Sequence, residues 1–128
     1  MIVLDASAAA ELLLDTVVGA AVARRLANES LHAPAHFDIE LVGVIRRSVH
    51  RGLLTDRDGL IAMADFMALP VRRWPVAPLI ERAYAFRSTH TVADAVYLVL
   101  AETLGAPMLT CDERLARSHG HGAAVETP

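Results

Sequence analysis

The sequence contains no lysine, only one cysteine and no long hydrophobic run. All 12 of its Lys and Arg positions are arginines, so any mechanism that depends on a lysine side chain is excluded. The single Cys111 cannot form an internal disulfide, and no apolar run approaches the roughly 20 residues that span a bilayer. The first residues carry no basic region, and Asp5 interrupts the first apolar run. We therefore expect no signal peptide and a cytoplasmic protein.

The composition is that of one folded domain. The 128 residues are 54% hydrophobic, with a mean hydropathy of +0.37, which suits a single core built from residues 1–128. Only 21% of the residues are charged, which indicates that a partner covers part of an apolar surface. The net charge of −3 by itself argues against a nucleic-acid partner. Bound cations would, however, reverse the local charge of an acidic site.

Short apolar runs alternate with longer helical segments along the chain. The runs predict strands at residues 2–4, 31–33, 71–74 and 108–110, with a weak edge strand at 123–125 and with Pro34 stopping the second strand. The segments between them predict helices at residues 6–14, 17–27, 37–51, 55–68, 76–87, 92–104 and 112–118. This alternation predicts the α/β class, as a three-layer α/β/α fold with a short, mostly parallel central sheet.

Four carboxylates lie where these elements meet. Asp5 follows the first strand and Asp112 the fourth. Asp94 opens an apolar helix, and Glu40 lies early in the helix at residues 37–51. Because the carboxyl ends of parallel strands form one ligand crevice, we expect these acids to converge there. Their mutual repulsion predicts a hard divalent cation, Mg²⁺ or Mn²⁺, and therefore phosphate chemistry.

Each of these acids also has a purely structural interpretation. Asp5 and Asp112 could cap the helices that follow them, and the spacing from Thr91 to Asp94 fits a capping box. Glu40 lies in an apolar segment expected to face the core, where its carboxylate needs a metal or a salt bridge to an arginine.

Small hydroxyls and histidines near these acids raise further hypotheses. Ser7 and Thr110 each lie two positions from a candidate ligand, where they could hold a carboxylate or a metal-bound water. His119 and His121 flank a glycine, but the histidines show no spacing typical of a zinc site.

Four segments resemble, in order, the acidic motifs of PIN-domain ribonucleases: IVLDASAA at residues 2–9, PAHFDIE at 34–40, TVADAVYLVLAE at 91–102 and LTCDERL at 109–115. The size resembles that of the single-domain toxins of VapBC toxin–antitoxin pairs. The resemblance implies a toxin that is a metal-dependent endoribonuclease, with Asp5, Glu40, Asp94 and Asp112 as its catalytic residues and Mg²⁺ or Mn²⁺ ligands. It also implies an RNA substrate, a homodimer and a cognate antitoxin that occludes the active site.

Two other functions compete with this interpretation. A different metal-dependent phosphoryl hydrolase, such as a haloacid-dehalogenase-like phosphatase, would need an aspartate where Ser7 stands and a lysine that the chain lacks. A catalytically inactive PIN-like module that binds RNA or protein would be indicated by the loss of an acid, and all four are present.

Overall fold

A computed structural model describes residues 1–128 as a five-stranded sheet with seven helices. The strands are β1 (Ile2–Leu4), β2 (Leu31–Pro34), β3 (Val71–Trp74), β4 (Met108–Leu109) and β5 (Val125–Glu126). The helices are α1 (Ala6–Leu13), α2 (Val17–Leu26), α3 (Phe37–His50), α4 (Asp56–Ala68), α5 (Ile80–Ala85), α6 (Val92–Leu104) and α7 (Glu113–Ala116). A 3₁₀ turn at Ala77–Leu79 precedes α5.

The strands are ordered β3-β2-β1-β4-β5, and every neighbouring pair is parallel. Strand β1 lies at the centre, where Val3 pairs with His32 on one side and with Met108 on the other. Leu4 pairs with Leu109, so β1 and β4 end at the same edge of the sheet. The chain therefore delivers the residues after both strands to one place, and the parallel sheet predicted from the sequence is confirmed.

The most deeply buried helix is α6, in which every residue from 95 to 101 is buried. It packs across β1, β2 and β4 and against α5, while α1 contacts α2, α3 and α4, and α3 contacts α4. The sheet and these two groups of helices form the predicted three-layer α/β/α fold. Helix α6 ends at Gly105, whose φ of 59° lies in the left-handed region that favours glycine.

Several predicted boundaries differ from the structure by one or two residues, and two of the differences lie in segments that contain a proline. The helix predicted at residues 76–87 is split into the 3₁₀ turn, which contains Pro78 near its start, and the short α5. The second strand does not stop before Pro34 but includes it, paired with Trp74. Pro34 is the last residue of β2, where its missing donor interrupts little of the ladder.

No single helix is long and apolar enough to cross a membrane. Helices α1 and α2 meet that test only when taken together, and they are bent by 113° relative to each other.

Candidate active site

The four carboxylates singled out in the sequence line one cleft of about 390 Å³ at the carboxyl edge of the sheet. Asp5 directly follows β1, and Asp112 follows β4 as the residue before α7. Glu40 and Asp94 lie in the first turns of α3 and α6. Ala6, Ser7, Val44 and Arg47 complete the lining. Four separate elements therefore bring their acids to one place, although the role of these acids as ligands stays a prediction.

Asp5 is buried, with 8% of its surface exposed. It precedes α1 but makes no side-chain capping hydrogen bond, so the capping interpretation does not explain it. Instead, Thr110 Oγ1 donates to Asp5 Oδ2 at 2.7 Å, and the Ser7 hydroxyl donates to the same oxygen. Burial raises the pKa of the Asp5 carboxyl, and the Ser7 and Thr110 hydrogen bonds only partly oppose that rise. The buried charge lacks a cationic partner in the protein.

The hydroxyls of Ser7 and Thr110 are themselves held in place. Ser7 Oγ accepts a hydrogen bond from the Cys111 amide at 2.9 Å, and Thr110 Oγ1 accepts one from the Asp112 amide at 3.0 Å. The two hydroxyls lie 3.2 Å apart. The hypothesis that they hold a carboxylate therefore has a structural basis in their shared contact with Asp5.

Glu40 is only partly buried, with 33% of its side chain exposed. The expectation that its segment faces the core uniformly is wrong, because the preceding Ile39 is 78% exposed. The partner of the Glu40 carboxylate is not an arginine. The hydroxyl of buried Tyr97 donates to Glu40 Oε2 at 2.6 Å. Burial and this acceptor raise the pKa of Tyr97 above its ordinary range, so the phenol stays a donor. His36 Nε2 lies 3.7 Å from the same oxygen.

Asp94 and Asp112 share one arginine. Arg114 Nη2 lies 3.0 Å from Asp94 Oδ2 and 3.5 Å from Asp112 Oδ2. Thr91 Oγ1 accepts a hydrogen bond from the Asp94 amide, but the Asp94 carboxylate binds Arg114, so only half of the predicted capping box forms. The Arg114 side chain is 66% exposed, which leaves it free to move away at small energetic cost.

Asp112 does cap the helix that follows it. Its Oδ1 accepts hydrogen bonds from the amides of Arg114 and Leu115 at 2.8 and 3.1 Å. Burial tends to raise the pKa of this carboxyl, but the two amides and the Arg114 guanidinium outweigh it and lower the pKa overall. Capping and metal binding are compatible here, because the cap occupies Oδ1 while Oδ2 faces Arg114.

The donor set suits a hard divalent cation, since it consists of carboxylate and hydroxyl oxygens around a buried, uncompensated Asp5. No group of three or more His, Cys, Asp and Glu side chains is close enough to hold one ion. In this arrangement Arg114 supplies the positive charge between Asp94 and Asp112. A divalent ion bound by these acids would replace the Arg114 guanidinium as the positive charge beside Asp94 and Asp112.

Sequence reasoning missed the roles of Tyr97 and Arg114 in this cleft. Tyr97 follows Asp94 by three positions on α6, a spacing that places two side chains on one helix face. Arg114 follows Asp112 by two residues. Arg47 lies seven positions after Glu40 on α3 and lines the cleft. Helical spacing could have indicated Tyr97 and Arg47, whereas the contact of Arg114 depends on the turn before α7.

The family model described as PIN domain matches residues 2–119. The chain belongs to the PIN-domain family. This PIN domain is 62% identical over 126 residues to Ribonuclease VapC12 of Mycobacterium tuberculosis, an alignment that covers 98% of each chain. It is 42% identical over 125 residues to Ribonuclease VapC3 of the same species, covering 97% of this chain and 91% of the relative. The predicted resemblance to VapC-type PIN-domain proteins is confirmed.

Two solved structures share the fold of this PIN domain. The crystal structure of Mycobacterium tuberculosis VapC20, described as a toxin that cleaves the sarcin–ricin loop, matches with a TM-score of 0.68 at 20% identity. That match covers 91% of this chain and 93% of VapC20. A crystal structure from Pyrobaculum aerophilum matches with a TM-score of 0.66, also at 20% identity, over 97% of this chain and 81% of the other. At this identity the two matches show the fold alone.

Proposed function

We propose that this PIN domain is the toxin of a VapBC-type toxin–antitoxin pair and an endoribonuclease that depends on Mg²⁺ or Mn²⁺. The observation that carries the proposal is the cleft in which Asp5, Glu40, Asp94 and Asp112 meet at the carboxyl edge of a parallel sheet. The ribonuclease names of relatives at 62% and 42% identity support RNA as the substrate. Phosphodiester hydrolysis is the chemistry that such an acidic cleft serves.

The four carboxylates are the ligands that we assign to the ion. A divalent cation held there would lower the pKa of a water nucleophile and stabilise the charge that develops on the phosphate. The buried Asp5 favours such an ion most, because its charge otherwise lacks compensation. Asp94 and Asp112 become available when Arg114 moves away.

The protein's own side chains orient the cleft. Tyr97 fixes one oxygen of Glu40, and the hydroxyls of Ser7 and Thr110 fix Oδ2 of Asp5. These contacts limit the rotation of both carboxylates, which is how hydrogen bonds behind metal ligands usually act. The resulting geometry favours a fixed position for the scissile phosphate.

Arginines in and beside the cleft are suited to the RNA backbone. Arg47 lines the cleft together with the acids, and its Nη1 would lie 3.1 Å from a Cβ added at Gly43. The absence of a side chain at Gly43 therefore leaves space for this guanidinium along α3. A guanidinium can bind two phosphate oxygens at once, so Arg47 is the residue to which we assign phosphate binding.

The same proposal includes the partners. We expect a cognate antitoxin, a homodimer and a cytoplasmic location, as the VapC relatives and the composition suggest. The antitoxin would place an apolar helix on the toxin and a basic side chain in the acidic cleft. That side chain would pair with the acids in the way that Arg114 pairs with Asp94. The gene beside this one should encode that protein, with a DNA-binding N-terminal part.

The proposal is tested by cleavage of RNA with the purified chain in Mg²⁺, in Mn²⁺ and in a chelator. Glu40→Gln should abolish cleavage, because it removes a ligand charge while keeping the side-chain shape. The matched control is Glu81→Gln, an exposed acid on α5 outside the cleft, which should cleave as the wild type does.

Cleavage that persists in the chelator, or in Glu40→Gln, would contradict the metal-dependent mechanism. A folded wild-type chain that binds RNA without cutting it in either ion would favour the inactive PIN-like module. Failure of the neighbouring gene's product to inhibit at stoichiometric amounts would count against the toxin role while leaving the nuclease intact.

A further inference from the structure

Two histidines outside the acidic cleft pack edge to face beside the N-terminal end of α6. His90 lies just before Thr91, the N-cap of α6, and His121 lies between α7 and β5. Their ring centroids are 5.9 Å apart at an interplanar angle of 72°. His90 is buried, with 8% of its surface exposed, and His121 is half-buried.

Each imidazole uses one nitrogen and leaves the other without a partner. His90 Nδ1 lies 2.8 Å from Thr89 Oγ1, and His121 Nε2 lies 3.1 Å from Ser118 Oγ. His90 Nε2 and His121 Nδ1 are both buried and have no hydrogen-bond partner. An unpaired buried polar atom is costly, and here two of them belong to neighbouring rings.

We propose that His90 and His121 form a two-imidazole site for a borderline divalent cation such as Zn²⁺, using His90 Nε2 and His121 Nδ1 as ligands. The hydroxyls of Thr89 and Ser118 occupy the other nitrogens, which is the arrangement that orients histidines bound to metals. With Zn–N bonds of about 2.0–2.1 Å, two imidazoles on one ion have centroids no more than roughly 6.5 Å apart. The observed separation meets this limit, and water completes the coordination.

The electrostatic setting of His90 favours the form of its imidazole that binds metal. Burial, and after it the neighbouring His121, lower the pKa of His90, whereas Asp94 raises it by a smaller amount and Arg114 lowers it slightly. His90 is therefore neutral near neutral pH, and neutral imidazole is the form that binds metal. Nitrogen ligands also separate this site from the acidic cleft, whose oxygen ligands suit Mg²⁺ and Mn²⁺.

A bound ion would join the C-terminal segment to the start of α6. His121 precedes β5, the edge strand that pairs with β4, and His90 lies four residues before Asp94. The ion would thus stabilise the loop that leads into β5 and the helix end that positions a candidate catalytic acid.

Binding of Zn²⁺ by calorimetry and of Cu²⁺ by electron paramagnetic resonance tests the proposal. We expect one site at which Cu²⁺ shows two nitrogen ligands. His90→Gln and His121→Gln should each remove one of these nitrogens. Each should also weaken Zn²⁺ binding at this site by about tenfold or more, since loss of a group behind a ligand alone costs roughly 10–100-fold.

Two histidines serve as controls. His119→Gln changes an exposed histidine in the same loop as His121. His36→Gln changes the histidine beside Glu40, and the His36 ring also has a nitrogen without a hydrogen-bond partner. Neither should alter the two-nitrogen signal. The proposal is overturned if the wild type shows no nitrogen ligands, or if only a control variant removes them. Should His90→Gln fail to fold by circular dichroism, the half-buried loop variant His121→Gln decides alone.

Discussion

Replacing Tyr97 with phenylalanine tests how the cleft holds Glu40. The ring is almost fully buried, so Tyr97→Phe keeps the packing and removes only the hydroxyl that donates to Glu40 Oε2 at 2.6 Å. A hydrogen bond to a charged group contributes roughly 1.5–3 kcal/mol. Because a third of the Glu40 side chain is exposed, water can replace part of that contact. We therefore expect a cost of about 1 kcal/mol, or a loss of about 4 °C in Tm.

The larger effect should be on metal binding. Hydrogen bonds that orient metal ligands are typically worth 10–100-fold in metal affinity or activity. Titration of Mn²⁺ into the ion-free protein should therefore show at least about tenfold weaker binding in Tyr97→Phe. RNA cleavage should fall with it and recover in part at high Mn²⁺.

The matched control is Tyr84→Phe. Tyr84 is 58% exposed on α5, and Arg87 lies over its ring. This substitution removes the same hydroxyl far from the cleft, so neither Tm nor Mn²⁺ affinity should change measurably. Equal Mn²⁺ affinity in Tyr97→Phe and the wild type would refute the claim that Tyr97 positions a ligand.

Three further predictions concern the remaining acids and Arg114. Asp94→Asn should abolish RNA cleavage in a gel assay with little change in Tm by circular dichroism, because the Thr91 cap binds the Asp94 amide and not its carboxylate; a loss of about 1 kcal/mol with full activity would restore the capping interpretation. Asp5→Asn should raise the Tm of the ion-free protein near neutral pH. Burial raises the pKa of Asp5 in the folded state above its value in the unfolded state. The protonated Asp5 carboxyl therefore contributes stability below the unfolded-state pKa, and this stability is lost as the pH rises through the folded-state pKa. The gain in Asp5→Asn should therefore shrink toward mildly acidic pH, and a pH-independent gain would contradict this cause. Arg114→Gln should tighten Mn²⁺ binding by up to about fivefold, the equivalent of a surface ion pair. The same change at Arg117, which pairs with Glu113, should have no effect in the same titration.

The order of the elements follows directly from local sequence patterns. Strands β1 and β3 and helix α6 have the boundaries that their apolar runs and capping residues predict. Local patterns do not contain the register between distant strands, such as the pairing of Leu4 with Leu109. They also did not show that the helix predicted at residues 76–87 would be split, because a proline in the first turn, such as Pro78, is compatible with a full helix.

The acids of the cleft could be named from the sequence because each stands at a junction between elements. Their partners were harder to predict. The contact between Tyr97 and Glu40 spans 57 residues, and it depends on how α3 packs relative to α6. Arg114 reaches both Asp94 and Asp112 only because α7 begins beside the N-terminus of α6. Such contacts arise from tertiary packing, for which a single sequence carries no direct signal.

We propose that Asp5, Glu40, Asp94 and Asp112 together hold a divalent cation. Anomalous diffraction from crystals of the protein grown with Mn²⁺ tests it most directly, because the signal locates the ion independently of activity. We predict a manganese peak within the cleft, coordinated by oxygens of these carboxylates, with the Arg114 guanidinium displaced from Asp94 and Asp112. A cleft without manganese at concentrations that support RNA cleavage, with Arg114 still paired to both acids, would contradict the account.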